Sequence, residues 1–242
     1  MEKRHITAIV LAAGKGNRMC SETPKQYMDL CGKPVLYYSL KRFEDSRVDD
    51  IVLVTGKDEL EYCKTEIVGR YHFCKVKAII AGGSERYWSV KNGLKAAVGA
   101  DFVLIHDAAR PCLTEDIIER SIIEVLQSGA CTVGVPVKDT IKLVDDNNIG
   151  IDTPPRKRLW QIQTPQSFSY KDIVEAYIRM EKADDADITD DTMIMERYLD
   201  KQTKLILGDY CNIKITTPED LSVAEIFLKK MKKVVDMGLR RC

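Results

Sequence analysis

The sequence has little of what would tie it to nucleic acid, a membrane or a metal. Its 242 residues carry 37 Lys+Arg against 37 Asp+Glu, so no overall field draws the molecule toward a polyanion or an anionic bilayer. Neither nucleic acid nor membrane is expected as a partner, and any anion must be held locally. Histidine is scarce: His5, His72 and His106 share no metal-ligand spacing with the cysteines. The eight cysteines form no CxxC pair and lie scattered, several in apolar runs, as reduced thiols of a cytoplasmic protein would. The first apolar run, Ile6–Leu11, is too short to span a bilayer and lacks a small-residue cleavage site after it, so a buried strand is expected. The loop after that strand is neither the dinucleotide fingerprint nor a P-loop, because GKGNRM lacks the third glycine of one and the Gly-Lys-Ser/Thr of the other.

What is present reads as one α/β domain over residues 1–242, with 45% hydrophobic residues to form a core. Ile6–Leu11, Ile51–Val54, Lys77–Ile80 and Phe102–Ile105 are short β-branched or apolar runs. Segments of helical period separate or succeed them, at Pro34–Phe43, Glu85–Val98, Glu115–Gln127 and Lys171–Lys182. Such alternation predicts a mostly parallel sheet with helices on both faces, and ligands bound beyond the carboxyl ends of the strands. The stretch from Lys138 to Lys157 breaks the pattern. It reads as a hairpin around Asp146-Asn147-Asn148 with few residues to anchor it to a core, so it is expected to lean on a neighbour or a second subunit. Thr217 before Pro218, Glu219 and Asp220 marks the start of a closing helix, with Leu221, Ala224, Leu228 and Met231 on one face.

The candidate chemistry lies at strand ends. Ala12-Ala13-Gly14-Lys15-Gly16 lets the backbone close on a ligand and point N–H groups at an anion, although glycine is also an ordinary turn residue. Arg18 and Lys25 flank this loop and suit a triphosphate, or are simply solvated. Gly82-Gly83-Ser84 before a helix holding Ser89 forms either a pocket wall or a capped strand-to-helix turn. Asp107 ends an apolar strand, where it could hold magnesium or a ribose hydroxyl, with Arg110 pairing with it or with phosphate. His106 reads as a core or capping residue. Lys214 interrupts the strand-like run Asn212–Thr216, where it either meets an anion or guards a sheet edge.

Taken in order, AIVLAAGKGNRM, PKQY, GGSERYWSV, HDAARP, LWQIQTPQSF, ITDD and YCNIKITTPEDL resemble the 2-C-methyl-D-erythritol 4-phosphate cytidylyltransferase family along nearly the whole chain. The resemblance implies a Rossmann-like mixed, mostly parallel sheet, a β-arm at about 138–158 that embraces a partner in a homodimer, and dependence on Mg2+. It implies that CTP binds at Ala12, Ala13, Gly14, Gly82, Ser89 and Ala108, to which the loop reading adds Gly16, Gly83 and Ser84. Arg18 and Lys25 would neutralise charge on its phosphates. The sugar-alcohol phosphate would lie among Asp107, Arg110, Arg156, Thr164, Thr189 and Lys214, with Arg156 and Lys214 gripping the attacking phosphate. Arg156 and Thr189 are expected to reach the site of the other subunit. Ser84 departs from the aspartate common in the family. The similar ribitol 5-phosphate cytidylyltransferases tend to carry a second glycine where this chain has Ala13, a bulkier residue at Ala109, and no ITDD run. A non-catalytic sensor of nucleotide or sugar phosphate on the same fold is the rival of a different class.

Overall fold

A computed structural model describes residues 3–14, 16, 19, 23–183 and 187–236. Among the described residues eleven strands run in chain order: β1 (Ile6–Ala12), β2 (Asp29–Leu30), β3 (Lys33–Pro34), β4 (Asp50–Thr55), β5 (Val76–Ala81), β6 (Phe102–Asp107), β7 (Ala130–Pro136), β8 (Leu143–Val144), β9 (Gly150–Asp152), β10 (Trp160–Ser169) and β11 (Lys204–Leu207). The helices are α1 (Val35–Asp45), α2 (Leu60–Tyr62), α3 (Arg86–Ala96), α4 (Glu115–Ser128), α5 (Tyr170–Ala183), α6 (Asp191–Leu199) and α7 (Pro218–Asp236), with α2 running on into a π-helical stretch at Cys63–Gly69.

The main sheet has the order β11-β7-β10-β6-β1-β4-β5. All its pairings are parallel except those of β10, which is antiparallel to both β6 and β7. Residues of β1 alternate between two cores. Ala8, Val10 and Ala12 face Leu36 and Leu40 of α1 and Ile117, Ile118 and Ile122 of α4. Ile9 faces the opposite way, toward Val90 and Leu94 of α3 and Ile173 and Tyr177 of α5. With helices on both faces, the strand is apolar on both sides and reads as a continuous run. Its neighbours β4 and β6 continue in opposite directions across the sheet, so a crevice opens at the carboxyl ends of β1 and β6.

The four strands expected from apolar runs are β1, β4, β5 and β6. Strands β7, β10 and β11 and helix α6 have no such forecast. In β10 the reason is composition: Gln163, Thr164, Gln166 and Ser167 are buried although polar, which hides the strand from a hydrophobic reading. Conversely, Asn212–Thr216 looks like a strand and is a loop, joined to its neighbours by isolated bonds such as Ile215 N–H to the Ala109 carbonyl at 2.8 Å. Lys214 therefore does not guard a sheet edge. Helix α7 buries Ala224, Leu228 and Met231 against Met19, Leu30, Val35 and Ile215. The Asp220 carboxylate accepts the Thr216 and Thr217 N–H groups at its start, at 2.8 and 2.9 Å. The hairpin β8–β9 projects with Leu143, Val144, Ile149 and Ile151 all exposed.

Candidate active site

Two cavities open at the crevice and share a wall. The larger, about 630 Å³, runs from Ala12, Ala13 and Gly14 at the end of β1, past Gly16 and Lys25, to Gly83, Ser84 and Ser89. The smaller, about 290 Å³, lies among Arg110, Ile162, Thr164, Thr189 and Asp190. Arg86, Asp107 and Lys214 line both. Of the residues expected to hold a nucleotide, all but Gly82 line the larger cavity, Ala108 included.

Gly82 has a different task. A Cβ there would stand 2.5 Å from Ala13 Cβ and 2.7 Å from Ser89 Oγ, so only glycine lets the end of β5 approach the β1 loop. Ser89 then braces the next turn, accepting the Gly83 N–H at 3.0 Å while its hydroxyl donates to the Glu85 carbonyl at 3.2 Å. Gly16 adopts a positive φ of 65°, and the Lys25 stem lies across it. From there Lys25 Nζ donates to the Ile215 carbonyl at 2.9 Å, which joins the β1 side of the crevice to the loop that carries Lys214. Arg18 lies outside the described residues.

The shared wall is a charge cluster. Asp107 ends β6 nearly buried, with Lys214 Nζ 2.7 Å from Oδ2 and Arg86 Nε 3.3 Å from Oδ1. Burial alone would raise its pKa, but Arg86, Lys214 and Arg110 overcome that effect and hold the carboxyl far below the usual carboxylate range. Arg86 turns its other two nitrogens on Asp191, in a fork of 3.0 and 2.8 Å. Asp191 is fully buried and also accepts the Tyr177 hydroxyl at 2.7 Å. The Gln166 amide binds both acids of this turn, accepting the Asp191 N–H at 2.8 Å and donating to Asp190 Oδ2 at 2.9 Å. Asp190 in turn caps α6 by accepting the Met193 N–H. No functional expectation attaches to Arg86, Asp191 or Gln166 in the sequence, although each lies in a segment that carries the family resemblance.

His106 sits under the site and does not face it. It is fully buried, with Nδ1 2.9 Å from Thr164 Oγ1 and Nε2 3.4 Å from Ser39 Oγ. Thr164 Oγ1 also accepts the Asp107 N–H at 3.1 Å, which holds that hydroxyl between the end of β6 and the imidazole. Burial pushes the His106 pKa down to about 3. Arg110 Nη1 donates to the Asn212 carbonyl at 2.8 Å, which ties the Lys214 loop to the end of β6.

Arg156 stands apart. It lies exposed in the turn at the base of the arm, where Nη1 donates to the Lys138 carbonyl at 2.9 Å, and it lines neither cavity. Thr189 lines the smaller cavity of its own chain, where the resemblance led one to expect it in a partner's. Among the described residues, no group of three or more His, Cys, Asp or Glu could hold a metal ion, and no helix is long and apolar enough to cross a membrane.

Comparison with known proteins gives the family. The model of the family IspD, 2-C-methyl-D-erythritol 4-phosphate cytidylyltransferase, matches residues 6–230. The enzyme of that name from Lachnospira eligens is 54% identical over 92% of this chain and 99% of its own length. Its counterpart from Lachnoclostridium phytofermentans is 51% identical over 95% of this chain and 98% of its own. In three dimensions, the 4-diphosphocytidyl-2C-methyl-D-erythritol synthase of Anaerococcus prevotii superposes with a TM-score of 0.82 at 33% identity, over 93% of this chain and 96% of that one. A match that runs from the first strand into the last helix, carried by relatives more than half identical along almost their full length, places this chain in the 2-C-methyl-D-erythritol 4-phosphate cytidylyltransferase family.

Proposed function

We propose that the chain transfers the cytidylyl group of CTP to 2-C-methyl-D-erythritol 4-phosphate, giving 4-diphosphocytidyl-2-C-methyl-D-erythritol and pyrophosphate, in the two cavities at the crevice. The observation that carries the reading is their common wall. One cavity has the backbone donors of a strand-to-loop turn and suits a triphosphate; the other is lined by Arg110, Thr164 and Thr189 and suits a sugar phosphate. Lys214 stands where they meet.

An oxygen of the sugar phosphate bonds to the α-phosphorus of CTP as the bond from that phosphorus to the β-phosphate oxygen breaks, and pyrophosphate leaves with the electron pair. A general base is unnecessary, since a phosphate monoester with a second pKa of about 6 is mostly dianionic at neutral pH. The barrier is repulsion between anions and their alignment, which positioning and cations reduce. Lys25, with Arg18, neutralises the triphosphate. Lys214 and Arg156 orient the attacking phosphate, Arg156 from the arm of a partner subunit in a homodimer. Asp107, already engaged by Lys214 and Arg86, is poorly placed to build a resident metal site. Mg2+ fits better as an ion carried on the triphosphate, because it keeps several waters and binds largely through phosphate oxygens.

The test is to supply purified protein with CTP and Mg2+, offer methylerythritol phosphate or ribitol 5-phosphate separately, and measure pyrophosphate. Release with the first alone is expected. Release with ribitol phosphate alone would transfer the protein to that activity, and release with neither would favour the sensor.

A further inference from the structure

Lys25 shares a turn with a tyrosine that the transfer chemistry leaves unused. Lys25–Tyr27 form one 3-10 turn entered from Pro24, with Gln26 buried at its centre. Lys25 lines the nucleotide cavity, while Tyr27 points to the carboxyl end of β4. There its hydroxyl lies 2.6 Å from Thr55 Oγ1, 2.8 Å from Glu59 Oε2 and 3.2 Å from Cys63 Sγ. The same Glu59 oxygen accepts the Thr55 hydroxyl and the Gly56 N–H, each at 3.1 Å. Burial raises the Tyr27 phenol well above its ordinary range, so it remains a donor to that carboxylate. Phenylalanine would fill the same space and pack on Tyr62, whose ring stands edge-on at 5.0 Å. The hydroxyl therefore adds a directional tie that filling the core does not require.

We propose that the Tyr27–Glu59 hydrogen bond is a positioning latch, fixing the Lys25 turn against the end of β4 and so setting where the Lys25 ammonium stands over the triphosphate. The inference rests on the role given to Lys25 under the proposed function. A cation that acts only if preorganised loses its effect when its turn can shift, even with its charge intact. The Lys25 stem is laid over Gly16 and its ammonium is tied to the Ile215 carbonyl, so a shift of the turn from which the stem springs moves the ammonium.

The experiment is a double-mutant cycle on the full chain, with steady-state kinetics for both substrates. Lys25→Ala should lower kcat by roughly a hundredfold or more, as loss of a preorganised charged donor does. Tyr27→Phe should lower kcat by about tenfold with both KM values within about twofold, the sign of a contact used in the transition state. The melting temperature should hardly change, because Glu59 keeps Thr55 and Gly56. Added to Lys25→Ala, Tyr27→Phe should cost nothing more. An unchanged kcat in Tyr27→Phe, or the same loss in both backgrounds, would overturn the latch while leaving Lys25 its role. Full turnover by Lys25→Ala would instead remove the role of Lys25, and the latch with it. Should Tyr27→Phe fail to fold, Glu59→Gln enters the same cycle with the same kinetic expectations, though its melting temperature should fall because Thr55 and Gly56 also bond to that carboxylate.

Discussion

Among single residues, Arg86 has the largest predicted effect on stability. Its fork holds Asp191, which no water reaches, and its third nitrogen turns to Asp107. Arg86→Met would leave Asp191 charged, buried and unpaired. Loss of the partner of a fully buried carboxylate typically costs about 3–5 kcal/mol, and the lower end applies here because the Arg86 side chain is 28% exposed toward the cavities. Urea denaturation should show a loss of that size, with Arg86→Lys between the variant and the parent because it keeps a charge but not the fork. A loss below about 1 kcal/mol would mean that solvent reaches Asp191 after all. The contrast with Asp107 explains which site residues can be read from sequence. An acid ending an apolar strand stands out, whatever its partners. A lone arginine at the start of a helix looks like any solvated side chain, and its two partners lie 21 and 105 residues further on. Only the fold brings them together.

Among elements, the arm was legible because its hydrophobic residues have no core to join: Leu143, Val144, Ile149 and Ile151 remain exposed in the single chain. Strand β10 was not, since its buried Gln163, Thr164 and Gln166 serve hydrogen bonds and not apolar burial. If the arm delivers Arg156 to a partner, sites are composite and variants should complement. Arg156→Ala should raise KM for the sugar phosphate more than for CTP. Mixed in equal amounts with a Lys214→Ala chain and allowed to exchange subunits, it should recover about a quarter of parental activity, since half the dimers are mixed and each carries one intact site. No recovery above the two variants alone would mean that Arg156 acts within its own chain.

For the molecule as a whole, the buried imidazole of His106 sets how stability responds to acid. Its pKa falls from an ordinary value of about 6.5 to about 3 because burial disfavours the charged form. In the window from pH 6.5 down to about 3 the unfolded chain takes up a proton that the folded chain refuses, so stability falls as pH falls, by up to about 1.4 kcal/mol per pH unit. Asp107 acts lower: its contribution is present above its unfolded pKa of about 3.9 and is lost as pH falls below that. Denaturation series across the upper window should show the slope, and His106→Gln should flatten it. An unchanged slope in that variant would place the effect on other groups. The wall common to the two cavities has a last consequence, for ligands and not for folding. If CTP and the sugar phosphate occupy the two compartments as proposed, the shared Arg86, Asp107 and Lys214 link their binding, and linkage is reciprocal: the factor by which bound CTP alters affinity for the sugar phosphate is the factor by which the sugar phosphate alters affinity for CTP. A compound made to fit the smaller cavity will thus report on the larger one, and its dissociation constant has no single value until the concentration of CTP is stated.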